Sequence, residues 1–217
     1  MSVPPLADRS ASRPPAAGSG ALPQAWSALA PDVKRERIIE AAIAVFSRRG
    51  LEAPMHEVAA AAGAGVASIY RVFPSKHDLW AAIVIRRLQE MTAAFERACE
   101  QPGPRWDALV EVLARHVTHQ SPEPFFTEAR AVVEDRPEVA AAHTHCVAAQ
   151  ARLLDAARAE GRLRADATPE DLKLLFAATR AARRHDPDSV PRMLELMLDA
   201  LETRDSAAAG RISAGAH

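Results

Sequence analysis

Residues 50–84 read GLEAPMHEVAAAAGAGVASIYRVFPSKHDLWAAIV. Two short segments in this stretch have helical periodicity. Met55, Val58, Ala59 and Ala62 recur at three- and four-residue spacing, and so do Val66, Ile69, Tyr70 and Phe73. Gly63 separates the two. Pro54 suits the first position of the first helix, and Pro74 cannot continue the second. Ser75 followed by Asp78 predicts a reciprocal N-terminal cap, opening a long helix from about Lys76 to Glu100. Two short helices joined by a tight glycine-containing turn have the spacing of a helix-turn-helix.

Upstream, Ile38, Ala42, Val45 and Phe46 predict a helix that begins near Asp32 and ends at Gly50. Before it, residues 1–31 are rich in Pro, Ala, Ser and Gly and offer too little apolar surface to offset ordering entropy. They are expected to form a disordered tail, with a basic arm toward DNA through Arg9 and Arg13 as the alternative. Downstream, Pro and Gly punctuate helical segments as far as residue 204. Thr168-Pro169-Glu170-Asp171 joins a cap, a first-position proline and two acids at one helix start, and Asp186-Pro187 repeats the theme. No segment alternates with period two, so the expected fold is all-α. An N-terminal three-helix domain is joined by a long helix to a C-terminal helical domain.

The chain has 217 residues and a formal net charge of -1. Residues 32–90 carry nine Lys or Arg against seven Asp or Glu, whereas residues 91–217 carry sixteen against twenty. A mildly basic front and an acidic back fit a front domain that meets nucleic acid. No run of apolar residues is long enough to span a membrane, and no apolar signal region follows the first charges. The expected location is the cytoplasm, in association with the nucleoid, with no membrane partner. Cys99 and Cys146 make no disulfide framework and read as small buried hydrophobes.

In a helix-turn-helix the second helix enters the major groove by its N-terminal end. The small residues Ala64-Gly65-Val66-Ala67-Ser68 would let the backbone approach DNA there. Ser68 can donate to a phosphate or base edge. Tyr70 presents a hydroxyl on a rigid ring, and Arg71 can reach phosphate or guanine. Lys76 adds a cation at the next helix start. Singly, each of these is equally readable as an ordinary core or surface residue.

The wording of the segment resembles the DNA-binding region of the TetR family. The matching features are Gly50-Leu51, Val58-Ala59, Ala62-Gly63, Ile69-Tyr70-Arg71 and Phe73-Pro74-Ser75-Lys76, with Arg37-Ile38-Ile39-Glu40-Ala41-Ala42 and Val45-Phe46 upstream. The resemblance is strong over Lys34 to Val84. Beyond it, Gly161-Arg162-Leu163-Arg164-Ala165-Asp166 is the one similar phrase. It implies DNA contacts from Gly65, Val66, Ala67, Ser68, Tyr70, Arg71 and Lys76, and packing roles for Ile69 and Phe73. Two departures stand out: Ala53-Pro54 replaces a Ser or Thr that caps the second helix, and Val72 stands where His is common.

The same resemblance implies an organic effector, a homodimer on double-stranded operator DNA with inverted-repeat symmetry, and repression relieved by ligand. Its expected domains are 32–78 for DNA binding and 79–204 for ligand binding and dimerisation, with 205–217 a second disordered tail. The last two helices, Thr168–Arg183 and Pro187–Arg204, would pair with their twofold mates. Trp106, His116, Phe125, Phe126, His143 and Phe176 are the candidate ligand-binding residues, with plain core as the alternative for each. His116 with His119, and His143 with Cys146, have spacings that would suit a zinc or copper site, but a metal is not the expected reading. No phosphate-cradling loop, nucleophile elbow or HExxH run occurs, so neither catalytic residues nor a cofactor are expected.

Overall fold

The computed structural model describes residues 26–119 and 124–203, without the side chains of residues 118, 119 and 124. Most of the expected N-terminal tail and all of the C-terminal one lie outside the described residues. The inner end of the first tail is ordered, contrary to expectation. Trp26–Ala28 form a single 3-10 turn, and Leu29 is buried. Trp26 supplies the apolar surface that the rest of that segment lacks, and it packs on the first core.

The architecture is all-helical: α1 (Pro31–Arg49), α2 (Met55–Ala62), α3 (Val66–Val72), α4 (Lys76–Glu100), α5 (Arg105–His119), α6 (Pro124–Val133), α7 (Pro137–Ala159), α8 (Pro169–His185) and α9 (Val190–Leu201). Among the described residues there is no strand beyond an isolated antiparallel bridge, Leu163 to Glu202. None of these helices is long and apolar enough to cross a membrane.

Sequence chemistry sets the helix ends. Gly63 closes α2 in the left-handed conformation at φ 67° and ψ 35°, a region open to glycine without steric cost. Ser75 caps α4: its Oγ accepts from the Asp78 N–H at 3.1 Å, and Asp78 accepts the Ser75 N–H at 2.9 Å. At α8 the Asp171 carboxylate accepts the Thr168 N–H at 2.7 Å and its hydroxyl at 2.9 Å. Two starts differ from expectation. Pro54 sits just outside α2 with extended backbone and offers no side-chain cap. Asp186-Pro187 opens a 3-10 turn, Pro187–Ser189, and α9 follows only at Val190. The Asp186 side chain there accepts from the Asp188 N–H at 3.1 Å, which tightens the turn.

Two cores share α4. The first gathers Ile38, Val45 and Phe46 of α1, Val58 of α2, Ile69 and Phe73 around α3, and Leu79 to Leu88 of α4. It also includes Phe125, Ala129 and Val133 of α6. The second is built from Phe95 of α4, Leu109 and Leu113 of α5, Leu153 and Leu154 of α7, Leu172 and Leu175 of α8, and Leu194 of α9. Met91 touches both. A 25-residue helix is about 37 Å long at 1.5 Å per residue, so α4 carries structure from one core to the other. At the far end the chain folds back on the α7–α8 loop. Arg164 N–H donates to Leu201 O at 3.0 Å and Thr203 N–H to Arg162 O at 2.8 Å, and the Arg162 guanidinium meets Glu202 at 2.6 Å.

Candidate nucleic-acid interface and cavity

The α2–α3 unit is held from below and capped from the side. Ala64 N–H donates to Ala59 O at 2.9 Å and Gly63 N–H to Ala60 O at 3.1 Å, so the turn satisfies the last carbonyls of α2. Ile69 and Phe73 are buried, which anchors α3 by one face. The Arg35 guanidinium of α1 lies 4.5 Å over the Phe73 ring, a cation–π contact that ties the end of α3 to α1. Val72, which departs from the histidine that the resemblance would suggest there, packs partly buried against this core.

The opposite face of α3 is open. Gly65, Val66, Ala67, Tyr70 and Arg71 are exposed and Ser68 is half-buried. Tyr70, with 44% of its surface exposed, and Val66, with 38%, are among the few large apolar side chains left in solvent. Arg71 Nε makes a long contact to Ala67 O at 3.4 Å, which leaves most of its fork outward. Gly65 starts α3 with extended backbone at φ -76° and ψ 145°, and open space surrounds its Cα. Lys76 opens α4 alongside, its ammonium 5.8 Å from the Phe46 ring centre and 5.4 Å from that of Trp80. All seven residues expected to meet DNA therefore fall on or beside one helix face.

A second feature is a cavity of about 330 Å³ walled by α4, α6, α7 and α8, with His116 of α5. His116, Phe126, His143 and Phe176 line it as expected. The His116 ring lies 4.4 Å from that of Phe176. Trp106 and Phe125, also expected there, do not reach it. Trp106 is buried in the second core, with the Arg162 guanidinium 5.9 Å over its ring. Phe125 turns the other way, 6.0 Å from the Phe46 ring of α1. Consecutive helix residues point about 100° apart, so Phe125 and Phe126 face different neighbours from α6.

The cavity wall also holds charges that helical periodicity reads as surface: Arg87, Arg130, Glu134, Glu170, Lys173 and Arg180. Arg87 of α4 is drawn below its usual pKa by burial, against the opposing pull of Glu90. His143 is also held below its ordinary value, first by burial and then by Arg130 and Lys173. Cys146 lies on the wall with its thiol pushed up by burial, the opposite of what an activated thiolate needs. No group of three or more His, Cys, Asp or Glu among the described residues could hold a metal ion. The His119 side chain of the metal alternative lies outside the described residues.

The family described as bacterial regulatory proteins, tetR family, matches residues 38–83. The C-terminal domain of SbtR-like transcriptional regulators matches residues 104–203. The HTH-type transcriptional repressor KstR of Mycolicibacterium smegmatis is 32% identical over 97 residues, 44% of this chain. That match spans 48% of KstR, about half the length of this curated relative. A solved TetR regulator from Streptomyces coelicolor is 27% identical with a TM-score of 0.62, covering 79% of this chain and 99% of that one. Another from Mycobacterium vanbaalenii is 26% identical with a TM-score of 0.60, covering 80% and 97%.

Proposed function

The chain belongs to the TetR family of bacterial regulatory proteins, and from that premise we propose that it is a sequence-specific, DNA-binding transcriptional repressor. One observation carries this reading: the exposed face of α3, with Tyr70 and Arg71, stands on a frame fixed by Gly63, Ile69 and Phe73. Ser68, Tyr70, Arg71 and Lys76 supply phosphate and base contacts, and the small side chains of Gly65, Val66 and Ala67 allow the backbone close. The domains assigned are 32–78 for DNA and 79–204 for effector and dimer, with α6 lending Phe125, Ala129 and Val133 to the first core.

The repressor acts as a homodimer. Leu174 of α8 is 65% exposed and Leu196 of α9 is 49% exposed, and large apolar side chains on two adjacent helices suit a face that a second copy covers. Two recognition helices about 34 Å apart then meet successive major grooves of an inverted repeat. A small molecule in the cavity releases the operator by linkage. Phe126 touches the cavity while Phe125, one residue away, packs in the DNA-domain core, so any shift of α6 is felt on both sides. Arg136, at the start of α7, adds a polar tie through Asp78 at 2.8 Å. The reading places the protein in the cytoplasm on the nucleoid and assigns it neither catalysis nor a cofactor.

The test is a mobility-shift titration against the chain's own upstream intergenic DNA, with random DNA as control and Arg71→Ala beside wild type. Specific retardation weakened roughly 10- to 100-fold by Arg71→Ala is expected if Arg71 reads a base. Should wild type show no preference here, and a genome-wide operator selection return no preferred sequence either, the repressor reading fails.

A further inference from the structure

The cavity carries positive charge that its own wall does not neutralise. Arg130 reaches it from α6 and Arg180 from α8. Both are half-buried, and neither has a hydrogen-bond or ion-pair partner among the described residues. Burial and then repulsion from Arg184 and Arg130 hold Arg180 below the ordinary guanidinium value. Two carboxylates share the wall: Glu170 is taken by Lys173 at 3.2 Å, and Glu134, in the turn just after α6, makes no ion pair among the described residues. His143 is held below its usual pKa, first by burial and then by cations, which disfavours its charged form. Like charges kept close in a partly dry site raise the energy of the empty protein.

Much of the rest of the wall is apolar, chiefly Leu88, Met91, Phe126, Val147 and Phe176. Gln150 is a polar member of it. It is only 8% exposed, and its amide donates to sulfur alone, Met91 Sδ at 3.6 Å and Cys146 Sγ at 3.7 Å. Sulfur is a weak acceptor, so a buried donor on the cavity wall lacks a strong partner.

We infer, building on the regulator reading, that the effector is a compact organic carboxylate whose head bridges Arg130 and Arg180 and whose apolar body lies against Phe126 and Phe176. Guanidinium forks match a carboxylate in shape and bind it through charge-assisted hydrogen bonds. Gln150 supplies a further donor to a polar atom of that body. A cavity of about 330 Å³ is at the small end of the range of about 300–1,000 Å³ for small-molecule sites, which favours a single-ring or medium-chain acid. Binding there pulls together α6 and α8, and α6 also carries Phe125.

The experiment is titration calorimetry on the full chain without DNA. The probes are decanoate and 3-phenylpropanoate, each beside its primary amide, with sodium sulfate as the bare anion. At least one carboxylate binds at millimolar concentration or tighter, and its amide binds at least tenfold more weakly. Arg130→Met and Arg180→Met each weaken that carboxylate roughly 10- to 100-fold, the range for losing a hydrogen bond to a charged group. Arg180→Lys loses less. Both Met variants melt no lower than wild type when ligand-free, because each removes a charge that repels its neighbours; this separates lost binding from lost folding. Amides that match their acids, or binding indifferent to both Met variants, would overturn the proposal, as would no carboxylate binding at all. Sulfate binding as tightly as the acids would refute the role of the apolar wall. Calorimetry needs no operator, so failure here leaves DNA binding untouched, and failure of the mobility shift leaves the ligand class standing.

Discussion

Gly63 and Gly65 flank one residue in the turn of the helix-turn-helix, yet replacing each by alanine should change stability by very different amounts. Gly63 has φ 67°, where an L side chain costs about 1–2 kcal/mol. A Cβ there would also sit 3.0 Å from Arg37 Nη2, but the end of an arginine can move, so the backbone dominates. Gly65 has φ -76° with nothing within 4 Å of a new Cβ. Alanine fits that conformation and removes freedom from the unfolded chain, a gain of about 0.4–1 kcal/mol. But Gly65 is the N-cap of α3, where alanine is worse than glycine by a similar amount, so the two nearly cancel. For a chain of this size each kcal/mol moves Tm by roughly 2–4 °C. Gly63→Ala should therefore melt below wild type by about 2–8 °C and Gly65→Ala within about 2 °C of it. DNA affinity should not follow stability. Gly65→Ala adds a methyl at the N-terminus of α3, where the backbone must come closest to DNA, so it should bind operator more weakly while melting close to wild type. Differential scanning fluorimetry and mobility shifts on both variants decide the matter. Gly63→Ala melting at or above wild type would refute the conformational argument. Unchanged operator affinity in Gly65→Ala would remove the close-approach role of that end of α3.

Leu174→Glu should convert the proposed dimer to monomer in sedimentation velocity while leaving the monomer's helical circular dichroism intact, because the replaced side chain is 65% exposed. Phe125→Ala should cost about 3–5 kcal/mol in chemical denaturation, the range for emptying a buried ring site, and uncouple effector binding from operator release. Asp78 is held below its usual carboxyl pKa by hydrogen bonds from Ser75 and then Arg136. A depressed folded pKa means its contribution is present above the unfolded value of about 3.9 and disappears as pH falls through the folded one. The Tm advantage of wild type over Asp78→Asn should thus hold steady from neutral pH down to the ordinary carboxylate range and shrink below it. An advantage that persisted at lower pH would contradict the assignment.

Local signals in the sequence were enough for the DNA-binding half. Gly63, the Ser75–Asp78 cap and Pro74 each act within one turn of the chain, and the start of α4 at Lys76 follows from them. The cavity was only partly legible. Helical periodicity says which face of α6 is apolar but not which neighbour each part of it meets, so Phe125 and Phe126 looked alike although one packs on Phe46 and the other lines the cavity. Trp106 misled for the same reason. Arg87, Arg130 and Arg180 read as surface residues in the sequence because a charged residue on a helix ordinarily faces water; only the packing of α4, α6 and α8 turns these three inward. The 3-10 turn at Pro187–Ser189 was hidden too, since Asp-Pro opens either kind of helix.

The hydrogen bonds between the α7–α8 loop and the chain after α9 have a kinetic and an entropic side. They close residues 164–201 into a loop stitched at its base by Arg164 to Leu201 and Thr203 to Arg162. Helices α8 and α9, with Leu174 and Leu196, are thereby presented as one preset hairpin. Surfaces set before encounter give up less conformational freedom when they associate. For the proposed dimer this means that cutting the chain before Leu201 should slow and weaken assembly even though none of the residues removed needs to touch the partner.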